Sequence, residues 1–271
     1  MDNKKRKSQF NQICKDIKSI KIQGARDIAK AGLKAYNLQP SKSSKKKLLS
    51  LRPTEPMLEK VLNQTNKLST QEIFNHFQEA QDKINQNVLK IIKNKKVIFT
   101  HCHSTNVTQA LINAKKKRKN FEVYNTETRP LYQGRKTARE LRKAGIKVTM
   151  FVDSALGVAL SKEQRTKKTD IVLLGADALT KKGVINKIGS EVIARIAHQE
   201  KIPTYIVADS WKYSKKKIPI ENRSLNEIWD KAPKNIKIRN PAFEFVDKKY
   251  LTGIVTELGV RSYSEFLKSI K

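Results

Sequence analysis

The sequence predicts an α/β fold, with a helical N-terminal domain over residues 1–94 followed by a Rossmann-like parallel-sheet domain over residues 95–271. Three observations carry this. Up to about Lys93 the apolar residues recur at three- and four-residue steps, the period of helices packed on one face. From Lys95 onward, short apolar runs alternate with helical stretches, the signature of βαβ units and a parallel sheet. Two of those runs stop abruptly in small polar residues, as buried strands do where they deliver side chains to a site.

Taken in order, Phe10, Ile13, Ile17 and Ile20 mark a first helix, and Ile28 to Tyr36 a second with alanine at packing positions. The segment Gln39-Pro40-Ser41-Lys42-Ser43-Ser44 has the composition of a loop. Ser69 with Glu72 three residues on forms a capping box, opening a helix through Phe74, Phe77, Ala80 and Ile84 towards Ile91. Strands follow at Val97–Phe99, Phe121–Tyr124, Val148–Val152, Ile171–Leu174 and Thr204–Ala208. Between them lie helices at Val107–Arg118, Thr137–Ala144, Ala155–Leu160 and Ser190–His198, with Gly145 placed where a C′ residue ends a helix. The sequence contains no internal repeat.

A chain of 271 residues has ample length for a core, and 38% hydrophobic with 7% aromatic content suits a globular protein. No apolar stretch approaches the roughly 20 residues a membrane span needs, and the basic N-terminus lacks the apolar segment of a secretory signal. Two cysteines make no disulfide framework and have no zinc-site spacing, so the expectation is a cytoplasmic protein with no metal and no cofactor. The net charge of +32 is spread through every segment, which favours a solvated lysine-rich surface over a dedicated nucleic-acid face; such a field still draws phosphorylated ligands.

The residues that can carry chemistry sit at strand ends. Cys102 lies between His101 and His103 after Lys96-Val97-Ile98-Phe99-Thr100, and Asp177 ends Ile171-Val172-Leu173-Leu174-Gly175-Ala176. If the two ends meet, a thiol and a carboxylate share one pocket, a pair that can move protons. The plainer readings are a small buried cysteine, an aspartate capping the next element, and histidines that are either solvated or orient the thiol. Arg129 and Arg135 near another strand end suggest capture of phosphate or carboxylate.

Together these segments resemble one superfamily, which comprises ribose-1,5-bisphosphate isomerases, 5-methylthioribose-1-phosphate isomerases and the regulatory subunits of the exchange factor for translation initiation factor two. The matching strings are Arg52-Pro53-Thr54, Thr100-His101-Cys102-His103-Ser104, Thr126-Glu127-Thr128-Arg129-Pro130, Gln133-Gly134-Arg135, Gly175-Ala176-Asp177-Ala178 and Asn186-Lys187-Ile188-Gly189. Asn240-Pro241-Ala242-Phe243 and Thr256-Glu257-Leu258-Gly259-Val260 continue the likeness, which spans about Asp16 to Val260. In this superfamily the isomerases carry the Cys and Asp that the exchange-factor subunits generally lack. The His-Cys-His-Ser form and the short N-terminal region look most like the archaeal ribose-1,5-bisphosphate isomerases. Two departures stand out: Gln23 replaces an arginine of an Arg-Gly-Ala string, and Asp209 stands where a glutamate is expected.

The resemblance implies an aldose–ketose isomerase that converts ribose 1,5-bisphosphate to ribulose 1,5-bisphosphate in nucleotide (AMP) salvage. The alternatives it leaves are a 5-methylthioribose-1-phosphate isomerase and a non-catalytic, exchange-factor-like regulatory subunit. It implies Cys102 and Asp177 as the proton-transfer pair, without deciding which acts on C2. Arg52, Arg129 and Lys187 would hold phosphate, Gln133 and Asn186 would contact the sugar, and Gly24 and Ala25 would let backbone amides approach a phosphate. Apolar packing is expected to raise the Asp177 pKa, and His101, His103 or cationic neighbours to lower that of Cys102. The partners it implies are the sugar phosphate and further copies of the chain, as a homodimer or homohexamer.

Overall fold

A computed structural model describes residues 2–92, 96–161 and 167–270. The expected boundary between residues 94 and 95 lies outside the described residues. Five helices come first: α1 (Asn3–Lys18), α2 (Ala25–Leu38), α3 (Lys42–Leu51), α4 (Pro56–Gln64) and α5 (Thr70–Ile91). Their apolar stripes close on two small cores. Phe10, Ile17, Ile28, Leu48 and Leu62 form one, and Ala29, Leu33, Met57, Ile73 and Phe77 the other. The capping box of α5 is present: Ser69 Oγ accepts the Glu72 N–H at 3.2 Å, and the Glu72 carboxylate accepts the Ser69 N–H at 2.7 Å. The far half of α5 leaves these cores, and Ile84 and Val88 pack on the sheet with Ile98, Leu111 and Leu173.

The second half continues as β1 (Lys96–Thr100), α6 (Thr105–Lys116), β2 (Phe121–Thr126), α7 (Gln133–Lys143), β3 (Lys147–Phe151), α8 (Leu156–Leu160), β4 (Ile171–Leu174), β5 (Ala178–Leu179), β6 (Gly183–Lys187), α9 (Ser190–Gln199), β7 (Thr204–Val207), β8 (Phe243–Asp247), β9 (Gly253–Thr256), β10 (Gly259–Arg261) and α10 (Tyr263–Ser269). Seven strands form one sheet in the order β10-β9-β7-β4-β1-β2-β3, parallel except for the edge strand β10. Alternate residues serve opposite faces. Phe99, Val172, Leu174 and Ile206 pack under α8, α9 and α10, while Ile98, Leu173 and Val207 pack under α5 and α6. Burial on both faces is why β4 reads as an unbroken apolar run. The chain order reverses at β1, which pairs with β2 on one side and β4 on the other. This is the switch point where open parallel sheets bind ligands.

Several elements differ from the sequence expectation. The loop after α2 is only residues 39–41, because Ser41 caps α3 by accepting the Ser44 N–H at 3.0 Å, which draws Lys42, Ser43 and Ser44 into the helix. Ile20 lies beyond the end of α1 with φ 65°. Val152 leaves β3 to start the turn at Asp153. A three-stranded antiparallel sheet, β5-β6-β8, was not expected. The end of α7 is as read: the Gly145 N–H bonds the Arg142 carbonyl at 2.9 Å and the Ile146 N–H that of Leu141 at 3.1 Å, with Gly145 at φ 76°.

Candidate active site

Cys102 follows β1 and Asp177 follows β4, and since these strands are hydrogen-bonded neighbours both side chains enter one cleft beyond their carboxyl ends. The cleft has a volume of about 480 Å³. Gly175 permits the convergence, because a Cβ there would meet the Ser104 side chain at 2.6 Å. The polypeptide at Cys102 adopts φ 64°, uncommon for a residue with a Cβ. Two threonines hold it: Thr128 Oγ1 accepts the Cys102 N–H at 3.0 Å, and Thr137 Oγ1 donates to the Cys102 carbonyl at 2.8 Å. Both groups that a sheet ladder would have bonded are thus spent on side chains, and the thiol is free to face the cleft.

The flanking histidines are structural donors and acceptors in neutral form. His101 accepts from Thr126 Oγ1 at Nδ1 and places Nε2 2.8 Å from the Ile188 carbonyl, which requires the proton on Nε2. His103 Nδ1 lies 3.0 Å from Thr137 Oγ1, whose own proton is committed to Cys102. Burial pushes both rings down to about 4. Neither is an imidazolium, so neither ring lowers the thiol pKa; the His103 backbone N–H does so, but too little to offset burial, and the expectation of a depressed Cys102 pKa is corrected. Burial instead drives the thiol up to about 11, with Lys187 the main opposing influence. Burial also raises the Asp177 carboxyl, against Lys212, Lys187 and Arg52.

Around this pair stand Gly24, Ala25, Arg52, Gln133, Asn186 and Lys187. Gly24 has φ 84° and precedes α2, so the helix N-terminus opens on the cleft. Gln23 lines the same wall, flanked by Lys21 and Arg26. Arg52 is 7% exposed; its Nη2 sits 3.1 Å from Glu221, while Nε and Nη1 have no hydrogen-bond partner among the described residues. Gln133 Oε1 is likewise buried and unpartnered. Asn186 donates to Ser190 Oγ at 2.8 Å, which bonds the Lys187 carbonyl, so the end of β6 is fixed.

Arg129 is not brought to this cleft. Asp153 fixes its backbone by accepting the Thr128 and Arg129 N–H groups at 2.8 and 2.6 Å, and its exposed guanidinium lies over Tyr132, lining a neighbouring depression. Arg135 is also turned away, paired with Glu127 at 3.2 Å and stacked on Tyr132. The chain supplies other groups that the sequence reading passed over. Lys212 donates to the Ala176 carbonyl at 2.6 Å and is 7% exposed; Glu55 and Glu221 flank Arg52. Glu55 follows directly on the Arg52-Pro53-Thr54 string, the one local signal that would have drawn attention to it.

The model of the initiation factor 2 subunit family matches residues 11–262. Ribose 1,5-bisphosphate isomerase of Methanocaldococcus jannaschii is 35% identical, with 90% of this chain and 88% of that protein covered. The Archaeoglobus fulgidus protein of the same name is 32% identical over 90% and 86%. The crystal structure of the Pyrococcus horikoshii translation initiation factor eIF-2B superposes with a TM-score of 0.80 at 26% identity, covering 93% of this chain and 96% of that one.

Proposed function

Since the chain belongs to the initiation factor 2 subunit family, we propose that it is a sugar-phosphate aldose–ketose isomerase converting ribose 1,5-bisphosphate to ribulose 1,5-bisphosphate, in nucleotide salvage. The observation that carries this reading is Cys102 and Asp177 facing one cleft from adjacent strand ends. A sugar phosphorylated at its anomeric oxygen cannot open its ring unaided. A donor must protonate the ring oxygen while a base takes the proton from C2. The C2 hydroxyl proton then returns to the donor as the ketone forms and the base delivers its proton to C1, so two protons enter the sugar, two leave it, and no co-reactant is needed. A thiol held near 11 enters the reaction carrying its proton. A carboxylate raised by burial yet faced by three cations can enter ionised and hold a proton afterwards. Cys102 is therefore the donor and Asp177 the acceptor at C2. The two unspent donors of Arg52, with Lys187 and the amides at Gly24 and Ala25, suit a phosphate.

One observation favours a second reading, 5-methylthioribose-1-phosphate isomerase: Gln23 leaves the wall beside α2 with one cation fewer for a second phosphate. Self-association belongs to the proposal, because Met150 and Val152 stand exposed on and just beyond the edge strand β3, apolar surface of the kind a second copy covers. A cytoplasmic setting suits an enzyme that must keep the Cys102 thiol reduced. The test is turnover of both sugars side by side, with Cys102→Ser and Asp177→Asn. Ribulose 1,5-bisphosphate is expected from the wild type, and each variant should lose at least about a thousandfold in kcat while still binding substrate. Near-normal turnover in both variants would remove the mechanism; no turnover of either sugar would remove the isomerase reading.

A further inference from the structure

Arg52 stands between two carboxyl groups in unequal positions. Glu221 is fully engaged: it lies 3.1 Å from Arg52 Nη2, accepts from Thr54 Oγ1 at 3.3 Å and from Arg223 Nη1 at 3.4 Å. It shares Arg223 with Glu227, and Arg52 is its nearest cation. Glu55 comes no nearer to Arg52 than 3.7 Å, beyond hydrogen-bond reach, and its Oε2 has no partner among the described residues. It is 3% exposed and lines the cleft with Asp177. An ionised carboxylate there would be a buried charge with one oxygen lacking a hydrogen-bond partner among the described residues and the other only in ion-pair range of Arg52, whereas a protonated one is a neutral group.

We infer that Glu55 stands in the cleft wall as a neutral carboxylic acid, a positioning residue whose neutrality leaves Asp177 as the ionised base and leaves Arg52 free for the substrate phosphate. The assignment of a role to it rests on the isomerase reading. The groups facing Glu55 come from four segments: Asp177 after β4, Arg52 after α3, Lys212 after β7, and Glu221 in the connection leading to β8. Asp177 has Lys187 as a further cation, so of the two acids Glu55 is the one that keeps the proton. Burial, with Asp177 next, moves the Glu55 carboxyl up to about 8. Once it ionises, a second negative charge enters beside Asp177 and competes for Arg52 with any phosphate.

Three measurements on the full chain test this. Carbon-13 spectra of protein labelled at glutamate carboxyls should contain one resonance with a midpoint near pH 8, absent from Glu55→Gln and equally from Glu55→Asp. Wild-type kcat/KM should fall about tenfold between about pH 7 and 9, as the neutral fraction does. In Glu55→Gln it should stay flat over that range relative to its own value at pH 7. Sulfate, whose charge does not change there, should bind the wild type several-fold more weakly at the higher pH, an arm that needs no variant. A Glu55 resonance titrating below pH 6, or sulfate binding indifferent to pH, would overturn the inference. Absence of turnover together with a resonance titrating near pH 8 would support the charge assignment and count against the isomerase reading alone.

Discussion

Cys102 carries its proton throughout the neutral range, and this has a direct chemical readout. At about 11 the thiol is some two orders of magnitude less ionised at neutral pH than a free cysteine near 9. Iodoacetamide, which reacts with thiolates, should therefore modify Cys102 roughly a hundredfold more slowly than glutathione, as followed by mass spectrometry of the peptide. Fast alkylation would mean an activated nucleophile and a different chemistry. The histidines and Glu55 act on stability with opposite sign. His101 and His103 bind a proton near 6.5 when unfolded and only near 4 when folded, so their contribution is fully present above about 6.5 and is lost as the pH falls towards 4. Glu55 binds its proton more tightly when folded, so its contribution is present below about 4.5 and is lost as the pH rises to about 8. Each slope is about 1.4 kcal/mol per pH unit. Two histidines outweigh one glutamate on the acid side, and above 6.5 they no longer oppose it. Urea midpoints should peak between about pH 6 and 7, and Glu55→Gln should flatten the alkaline side. A wild-type midpoint that climbs steadily to pH 8.5 would contradict a neutral Glu55.

At the scale of elements, the site depends on how closely β1 and β4 deliver their ends. Gly175→Ala would drive a Cβ to within 2.6 Å of Ser104, the residue before α6. Relief requires the start of α6 to move, together with the buried Gln81–Asn106 hydrogen bond of 2.9 Å that ties it to α5. The expected cost is about 1–3 kcal/mol of stability and at least about a tenfold loss of kcat from displaced groups. Unfolding and kinetics on one preparation check both, and an unchanged kcat would detach strand-end packing from the site. The same strand ends explain what could be read from the chain. Runs such as Ile171–Leu174 announce burial by themselves, and a polar residue closing such a run has few places to be except a site. The Ser69 box and Gly145 are equally local. Lys212, Glu55 and Glu221 are not: they come from three separate segments, and only the assembled fold makes them neighbours of Asp177. Arg129 illustrates the converse. Its position after a strand suggested a ligand contact, but Asp153, 24 residues on, holds its backbone and turns it elsewhere. The β5-β6-β8 sheet escaped notice because β5 has two residues and β8 joins β6 from far along the chain.

Over the whole molecule, 57 basic residues against 25 acidic ones give a charge of +32 without any single basic face being evident in the sequence. In the cleft, cationic side chains outnumber acidic ones seven to four, so the general field and the local one have the same sign. On the proposed function, a bisphosphate approaching from solvent would be attracted at long range by the first and held at short range by the second. These can be separated, because salt screens exposed charges beyond a Debye length of about 10 Å at 0.1 M but acts far less on buried ones such as Arg52 and Lys187. Raising potassium chloride from about 0.02 to 0.3 M should lower kcat/KM for ribose 1,5-bisphosphate several-fold and kcat hardly at all, while a neutral osmolyte does neither. A random RNA oligomer should bind in the low-salt buffer and be released across the same range, as expected for diffuse lysines without base contacts. RNA retained at the higher salt, together with a kcat/KM indifferent to it, would mean that the charge is concentrated on a dedicated nucleic-acid face and does not serve the cleft.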